Sequence, residues 1–161
     1  LFMSNVDNLA ATLDPAVIGA HVAHGAAITV EVVQKEAGDA GGAPARVDDV
    51  LQIVESFRFP PGFDAATIPV FNTNTFVFTA ADIDRDFELS WFTVKKKVDG
   101  SEVVQFERLV GELTAFLPMR ALRVERHGPD ARFQPAKDPE ELAARRDEIR
   151  AILRARGALN A

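Results

Sequence analysis

Cysteine is absent from this chain of 161 residues. Its absence excludes disulfide bonds and thiolate ligands for a metal, and it leaves the redox compartment open. Long hydrophobic runs are also missing, because no apolar stretch reaches the roughly 20 residues that a membrane-spanning helix needs. The first residues show no signal-peptide pattern. We therefore expect no membrane partner, and a cytoplasmic protein is the simplest interpretation.

Basic residues are fewer than acidic residues in this sequence. Lysine and arginine number 18 against 24 aspartate and glutamate residues, which gives a net charge of −6. This balance argues against a general nucleic-acid-binding or anionic-membrane surface, although it is compatible with a local basic pocket for phosphate. Hydrophobic residues make up 47% and charged residues 26% of the chain. Such a composition is typical of one globular domain with a sizeable core.

The beginning of the sequence is apolar. Leu1, Phe2 and Met3 lead straight into a polar turn at Ser4, and position 1 is not a methionine. This pattern is typical of the end of a strand cut from a larger protein. We therefore expect a fragment with exposed apolar surface, which would pair with a missing N-terminal half or with a second copy of the chain.

Helix and strand signals are mixed along the chain and predict the α/β class. Asp14 and Pro15 suit the start of a helix that ends near Gly25, and Asp138 begins a last helix. Apolar residues at three- and four-residue spacing predict a further amphipathic helix over residues 102–117. Strands are predicted at 27–33, at 46–57 with a turn at Asp48 and Asp49, and at 68–78, 89–95 and 119–124.

Residues 71–78, Phe-Asn-Thr-Asn-Thr-Phe-Val-Phe, combine an aromatic strand with two amides. In a regular strand Asn72, Asn74, Phe76 and Phe78 share one face. Amides at the edge of an aromatic face are costly when they are buried without a partner. We therefore expect Asn72 and Asn74 to bind a polar partner, which a ligand could supply.

Two loops carry groups that suit phosphate and its counter-ion. Asp7 lies in a polar turn between a strand and the first helix, where a carboxylate suits Mg²⁺. An Asx turn that satisfies the local backbone is the commoner explanation of such residues. Lys137 follows a proline loop just ahead of the last helix, where a lysine and a helix N-terminus both favour an anion. A solvated surface lysine is the simpler alternative.

Three further features carry weaker signals. Glu55 closes an apolar strand, where it could accept hydrogen bonds from sugar hydroxyls or be an ordinary surface residue. Lys96 lies in a run of three lysines, which either attracts phosphate or protects a strand edge. His21 and His24 have no third ligand nearby in sequence, so we interpret them as ordinary helix residues. Neither a nucleophilic-serine motif nor a Walker loop is present.

Taken in order, these segments resemble one enzyme family. Residues 5–14, Asn-Val-Asp-Asn-Leu-Ala-Ala-Thr-Leu-Asp, resemble the Asn-x-Asp-Asn-Leu-Gly-Ala-Thr-x-Asp segment of eukaryotic-type UTP–glucose-1-phosphate uridylyltransferases, or UDP-glucose pyrophosphorylases. Residues 71–74 resemble that family's Phe-Asn-Thr-Asn. Similar matches join residues 96–111 to its Lys-x-Val-Asp-Gly…Gln-Leu-Glu…Gly segment and residues 132–137 to its Arg-Phe-Leu-Pro-Val-Lys.

The resemblance implies a Rossmann-like, GT-A-like nucleotidyltransferase fold with a mixed sheet, of which residues 1–161 would be the C-terminal, sugar-binding part. It implies that UTP and glucose 1-phosphate are converted to UDP-glucose and pyrophosphate with Mg²⁺, by positioning and charge neutralisation. By resemblance, Asp7 would hold Mg²⁺ and Lys137 would be the catalytic cation at the reacting phosphates. The implied substrate-binding residues are Asn5, Glu55, Asn72, Asn74 and Lys96.

The chain also departs from the family pattern. Ala10 replaces a family glycine, and Gln134 and Ala136 replace the leucine and valine of the lysine loop. The family's glycine-rich nucleotide loop has no counterpart here, so we predict that the chain alone is inactive. Two alternatives stay open: a UDP-N-acetylhexosamine or broad UDP-sugar pyrophosphorylase, and a non-catalytic module that binds a sugar nucleotide.

Overall fold

The computed structural model describes residues 1–39 and 41–159. Its strands are β1 (Phe2–Met3), β2 (Ile28–Gln34), β3 (Ala43–Val47), β4 (Val50–Val54), β5 (Val70–Phe78), β6 (Phe92–Val98), β7 (Ser101–Glu107) and β8 (Met119–Arg123). Its α-helices are α1 (Pro15–His24), α2 (Ala80–Ile83) and α3 (Pro139–Ala155). Short 3-10 helices lie at Ser56–Arg58, Ala65–Thr67 and Val110–Ala115.

A mixed sheet with the strand order β1-β5-β2-β8 forms the centre of the fold. β5 is antiparallel to both β1 and β2, whereas β2 is parallel to β8. β2 is buried along its whole length except for Gln34, which fits a central strand rich in β-branched residues. This arrangement confirms the predicted α/β class and the mixed sheet.

The main core packs against this sheet and gives the loops at its edges a rigid support. Phe76 and Phe78 stack with their ring centroids 5.5 Å apart. Each large apolar side chain that is buried in this way contributes about 1.5–3 kcal/mol. The buried members of the cluster are Ala27, Ile28, Val30, Val32, Ile53, Phe76, Phe78, Leu117 and Met119.

The two longer helices begin where the sequence predicts. Asp14 caps α1 by accepting a hydrogen bond from the Ala16 amide at 2.8 Å, and Gly25 ends the helix with a φ of 65°. Asp138 caps α3 by accepting a hydrogen bond from the Glu141 amide at 2.7 Å. Within the described part of the chain, no helix is both long and apolar enough to cross a membrane.

The predicted helix over residues 102–117 is wrong. β6 and β7 form an antiparallel hairpin there instead. Asp99 and Gly100 at its tip have φ values of 49° and 81°, as in the type I′ turn that suits the twist of two paired strands. The turn sends the chain back along β6, and the segment becomes helical only at Val110–Ala115, as a 3-10 helix.

Other strand predictions fare better. The expected turn at Asp48 and Asp49 joins β3 to β4, and both residues have positive φ. The strands predicted at 27–33 and 119–124 are confirmed within a residue at each end. The strand predicted at 89–95 is shifted, because β6 runs to the hairpin turn.

β5 is interrupted by a bulge. Its register with β2 shifts between Asn72 and Thr75, so that Glu31 lies opposite Thr75 but Val32 lies opposite Asn72. Asn74, inside the bulge, has a φ of 59°. Asn72 still lies on the face of Phe76, whereas the expectation that Asn74 shares this face in regular alternation is wrong. Bulges redirect side chains and are common beside binding sites.

Candidate functional site

A cleft of about 680 Å³ opens where the bulge of β5, the turn after β1, the end of β4 and the loop before α3 meet. Six of the seven predicted site residues line it: Asn5, Asp7, Glu55, Asn72, Asn74 and Lys137. They come from four segments that are far apart in sequence. The fold thus brings into one place groups that the sequence alone could not show to be neighbours.

Asn8 joins the turn that carries Asp7 to the loop that carries Lys137. Its side-chain amide donates a hydrogen bond to the Arg132 carbonyl oxygen at 3.1 Å. Its Oδ1 accepts one from the Gln134 amide at 2.9 Å. Asn8 is buried, so both bonds are shielded from water and are costly to lose.

Backbone hydrogen bonds strengthen the same junction. The Leu9 amide donates to the Gln134 carbonyl oxygen at 3.1 Å, and the Ala136 amide donates to the Asp7 carbonyl oxygen at 2.9 Å. The two loops therefore run side by side. Asp7 is half-buried and Lys137 is exposed at the rim of the cleft.

A buried ion pair lies beneath this junction. Arg132 donates from Nε to Glu31 Oε2 at 2.8 Å and from Nη2 to Glu31 Oε1 at 2.6 Å. The same guanidinium group donates to the Thr12 carbonyl oxygen at 2.9 Å and contacts Asp14 Oδ2 at 3.3 Å. Arg132 thus connects the central strand β2 to the segment that follows Asp7.

The amides form a connected row along the cleft. Asn74 donates from Nδ2 to Asn5 Oδ1 at 2.6 Å. The Asn74 backbone amide donates to Asn72 Oδ1 at 2.9 Å. Part of the polar partner expected for these amides is therefore supplied by the protein. The bonds fix three amide groups that can both donate to and accept from a ligand.

The Glu55 carboxylate packs closely against Gly42. A Cβ atom on Gly42 would lie 2.7 Å from Glu55 Oε1 and 3.1 Å from Ile53 Cγ2. Burial raises the pKa of the Glu55 carboxyl, against the opposing effects of Arg58 and of a backbone hydrogen bond with Gly42. The Gly42 carbonyl oxygen accepts a hydrogen bond from the Asn72 amide at 2.7 Å. Gly42 therefore contacts two of the residues predicted to bind the sugar, Glu55 and Asn72.

Two further cations lie near the cleft. Lys96 is not among the lining residues, but its Nζ is 3.2 Å from Oε1 of Glu107, which does line the cleft. Arg108 also lines it, and its guanidinium carbon lies 4.2 Å from the centre of the Trp91 ring. Sequence reasoning missed Arg108, although it directly follows a quoted family motif.

An aromatic wall of the cleft was also missed. Phe71 and Phe133 meet edge to face with centroids 5.3 Å apart. The Arg126 guanidinium carbon lies 5.5 and 5.6 Å from the two ring centres. Arg126 also donates two hydrogen bonds to Asp39, at 2.7 and 3.0 Å. Both phenylalanines fall in the quoted motifs, which could have identified them, whereas no sequence signal marks Arg126.

The donor set of the cleft suits Mg²⁺ in one particular mode. Among residues 1–39 and 41–159, no group of three or more His, Cys, Asp or Glu side chains could hold a metal ion. Mg²⁺ commonly keeps several waters and uses one or two carboxylates together with substrate phosphates. The single carboxylate of Asp7 fits this mode and would not form an all-protein metal cage.

The mixed α/β fold of this chain is shared with UDP-sugar pyrophosphorylases, a class of nucleotidyltransferases. The family model described as UTP–glucose-1-phosphate uridylyltransferase matches residues 1–152. The chain belongs to that family. This result confirms the resemblance that the sequence motifs indicate.

Individual relatives agree with this assignment. The UTP–glucose-1-phosphate uridylyltransferase of Encephalitozoon cuniculi is 26% identical over 153 residues, which cover 88% of this chain and 30% of the relative. A mutant UDP-glucose pyrophosphorylase from Leishmania major, solved in complex with UDP-glucose, is 26% identical with a TM-score of 0.66 over 89% of this chain and 36% of that one.

A more distant structure shares the fold alone. The UDP-N-acetylglucosamine pyrophosphorylase of Trypanosoma brucei, solved with an inhibitor, is 21% identical with a TM-score of 0.62. The match covers 96% of this chain and 34% of that one. The chain thus spans about a third of the length of the relatives it matches.

Proposed function

We propose that this chain forms the sugar- and phosphate-binding part of an enzyme that makes UDP-glucose and pyrophosphate from UTP and glucose 1-phosphate. The proposal depends on one observation: six separated polar residues meet in a single cleft of a chain that belongs to the uridylyltransferase family. Residues 1–161 would form the C-terminal part of the catalytic domain. The glycine-rich nucleotide loop would come from the rest of the enzyme.

The sugar lies, in this proposal, against Glu55, Asn72 and Asn74. Sugar hydroxyls both donate and accept hydrogen bonds, as amide side chains do. The Glu55 carboxylate accepts from hydroxyls, and its partial burial strengthens such bonds because water competes less. Asn5 holds the Asn74 amide at 2.6 Å and would itself contact the nucleotide-sugar.

The phosphates lie toward Asp7 and Lys137. An oxygen of glucose 1-phosphate forms a bond to the α-phosphorus of UTP, while the bond from that phosphorus to the bridging oxygen breaks and pyrophosphate leaves with the electron pair. Lys137 neutralises charge on the reacting phosphates, and its exposed position leaves it free to do so. Asp7 would hold Mg²⁺, which supplies further charge neutralisation when bound.

Lys96 has an indirect part in this proposal. Its ion pair with Glu107 orients a carboxylate that lines the cleft. We therefore propose that Lys96 acts on substrate binding through Glu107.

We also propose that the rest of the enzyme covers α1. This helix has no Asp, Glu, Lys or Arg, and a helix that is mostly apolar is normally buried. Yet Leu13, Ile18 and Val22 beside or within it are exposed. In the isolated chain the same surface would pair with a second copy. The cytoplasmic compartment stays a prediction from the sequence.

Calorimetric titration of the 161-residue chain with UDP-glucose, with and without Mg²⁺, tests the proposal. We expect saturable binding that Asn72→Ala and Lys137→Ala each weaken by about tenfold or more, as for hydrogen bonds that involve a charge or a buried polar group. Lys95→Ala is the matched control, because Lys95 pairs with Glu102 on the exposed hairpin. Absence of UDP-glucose binding at millimolar concentration would overturn the proposal.

A turnover assay tests whether this chain alone catalyses the reaction or needs the rest of the enzyme. We expect no UDP-glucose formation from UTP and glucose 1-phosphate by this chain alone, because the nucleotide loop is supplied elsewhere. Robust synthesis by the isolated chain would contradict this division of the site. A panel of sugar 1-phosphates, tested on the full-length enzyme, decides between glucose and N-acetylhexosamine as substrate.

A further inference from the structure

The last turns of α3 lie against both loops that carry the residues proposed to act at the phosphates, Asp7 and Lys137. Ile152 forms a buried cluster with Ala10 and Ala131, and both alanines are fully buried. Ala10 belongs to the segment that follows Asp7. Ala131 begins the segment that leads to Lys137. The end of α3 therefore contacts the base of each loop.

Arg156, at the C-terminal cap of α3, bonds to the same two segments. It donates from Nη1 to the Ala10 carbonyl oxygen at 2.5 Å and to the Thr12 hydroxyl at 2.8 Å. It donates from Nη2 to the Ala131 carbonyl oxygen at 2.6 Å. One guanidinium group thus bridges the two segments. Its planar fork can do this because its donors point in fixed directions.

These three hydrogen bonds are the main interactions of the Arg156 guanidinium group. No ion pair among residues 1–39 and 41–159 includes Arg156. Burial, with a smaller contribution from the nearby Arg132 cation, holds the pKa of Arg156 below its usual range. Three oxygen acceptors compensate this buried cation, and the nearby carboxylates of Asp14, Glu31 and Asp130 also favour its charge and oppose the lowering of its pKa.

We infer that Arg156 is a positioning residue that holds the loops of Asp7 and Lys137 in register at the phosphate end of the cleft. What those loops bind rests on the proposed function. Arg156 itself acts through Ala10, Thr12 and Ala131, and it contacts none of the proposed ligands. The inference extends the functional unit beyond residue 152, where the family match ends.

Amide hydrogen exchange on the 161-residue chain tests this inference without any ligand. The variant is Arg156→Met, and the control is Arg154→Met, which changes an exposed arginine one half-turn away on the same helix. We expect Arg156→Met to reduce protection at least tenfold at the amides that join the two loops, those of Leu9, Gln134 and Ala136. Sheet amides such as those of Val30 and Phe76 should keep their protection in both variants.

A purely structural role predicts a different pattern. Uniform loss of protection across sheet and loops, or unchanged protection at the junction, would overturn the inference. Arg156→Lys keeps the charge but lacks the planar fork, so it should give the same local pattern to a smaller degree. If Arg156→Met does not fold, this milder variant decides by the same criteria.

UDP-glucose affinity provides a second measurement. We expect Arg156→Met to weaken binding at least fivefold, Arg156→Lys to restore part of it and Arg154→Met to leave it unchanged. If the wild-type chain binds no UDP-glucose, the proposed function fails, and the exchange pattern alone still decides the role of Arg156. Normal affinity of Arg156→Met, beside wild-type binding, would contradict the positioning role.

Discussion

Arg132 and Glu31 face each other across the interior and share two hydrogen bonds of 2.8 and 2.6 Å. The Glu31 side chain is fully buried and that of Arg132 is 5% exposed. The pair joins the central strand of the sheet to the loop of Lys137. It therefore links the stability of the fold to the geometry of the site.

Removing one partner of this pair should be severe. Glu31→Gln removes the closer, bidentate counter-charge of the buried Arg132 cation and leaves only the 3.3 Å contact with Asp14, so we expect a loss of about 3–5 kcal/mol in the free energy of unfolding. Urea denaturation measures the loss. Glu102→Gln, which removes an exposed ion pair with Lys95, should change stability by less than about 0.5 kcal/mol. Equal effects of the two variants would contradict the importance of burial here.

Gly42→Ala should displace Glu55. The added Cβ would lie 2.7 Å from Glu55 Oε1, so the carboxylate must move and UDP-glucose binding should weaken by about tenfold, the usual value of a hydrogen bond to a charged group. Gly19→Ala is the matched control, because nothing lies within 4 Å of its Cβ position in α1. It should raise stability by about 0.5–1 kcal/mol and leave binding unchanged. Unaltered affinity of Gly42→Ala would show that Glu55 does not bind the sugar.

Two substitutions at Asn74 separate the effect of its backbone conformation from the effect of its side chain. Asn74 has a φ of 59°, which glycine adopts freely and alanine does not. Asn74→Ala should therefore be less stable than Asn74→Gly by about 1 kcal/mol. Both variants lose the bond to Asn5 and should weaken UDP-glucose binding alike. A stability order with alanine above glycine would argue against the bulge geometry.

Acidification should destabilise the chain through His21. Burial, together with the nearby His24 and N-terminal charges and against Asp82, lowers the pKa of His21 from its ordinary 6.5. The unfolded state then binds more protons than the folded state below about pH 6.5. The contribution of His21 to the free energy of unfolding is therefore fully present above this pH. It is lost as the pH falls through 6.5 toward the lower pKa of His21 in the folded state.

The contacts of His21 also suit its neutral form. Its Nδ1 lies 2.7 Å from the Thr29 hydroxyl, which also lies 2.7 Å from His24 Nε2. The Ala26 amide donates to His24 Nδ1 at 3.0 Å, so the proton of neutral His24 is on Nε2. Thr29 then accepts from His24 and donates to His21. Urea midpoints at pH 5 and 7.5 should differ less in His21→Gln than in wild type, and an unchanged difference would refute this account.

The exposed face of α1 should drive self-association of the isolated chain. Val22 is 72% exposed on a helix that has no Asp, Glu, Lys or Arg. We expect sedimentation velocity to show a concentration-dependent dimer that Val22→Lys abolishes. Val104→Lys, which changes an exposed valine on the β6–β7 hairpin, should leave it intact. A monodisperse monomer at high concentration would contradict the prediction.

Local signals predicted the parts of the fold that local chemistry decides. Asp14 and Asp138 cap their helices as expected, because a cap involves residues two or three positions apart. The helix predicted over 102–117 failed because the turn at Asp99 and Gly100 outweighed a weak apolar periodicity. An Asp-Gly pair between two β-branched segments is a strong hairpin signal.

Six residues that line the cleft were predictable from the sequence, whereas its aromatic wall and the contacts that support it were not. Family resemblance identified Asn72 and Lys137, which line the cleft. The Arg132–Glu31 pair joins residues 101 positions apart, and no periodicity or motif signals such a contact. The Asn74 bulge depends on the pairing of β5 with β2, which local propensity does not encode.

The junction made by Asn8 has a consequence for synthesis on the ribosome. Its bond to Arg132 spans 124 positions. The loop of Asp7 therefore gains this contact only after the loop of Lys137 has been synthesised. At about 5–20 residues per second, that interval is roughly 6–25 s. During this time the nascent chain holds Asp7 without its neighbour, and closing so long a loop comes late in folding. The phosphate end of the cleft is thus completed only when nearly the whole segment has been translated.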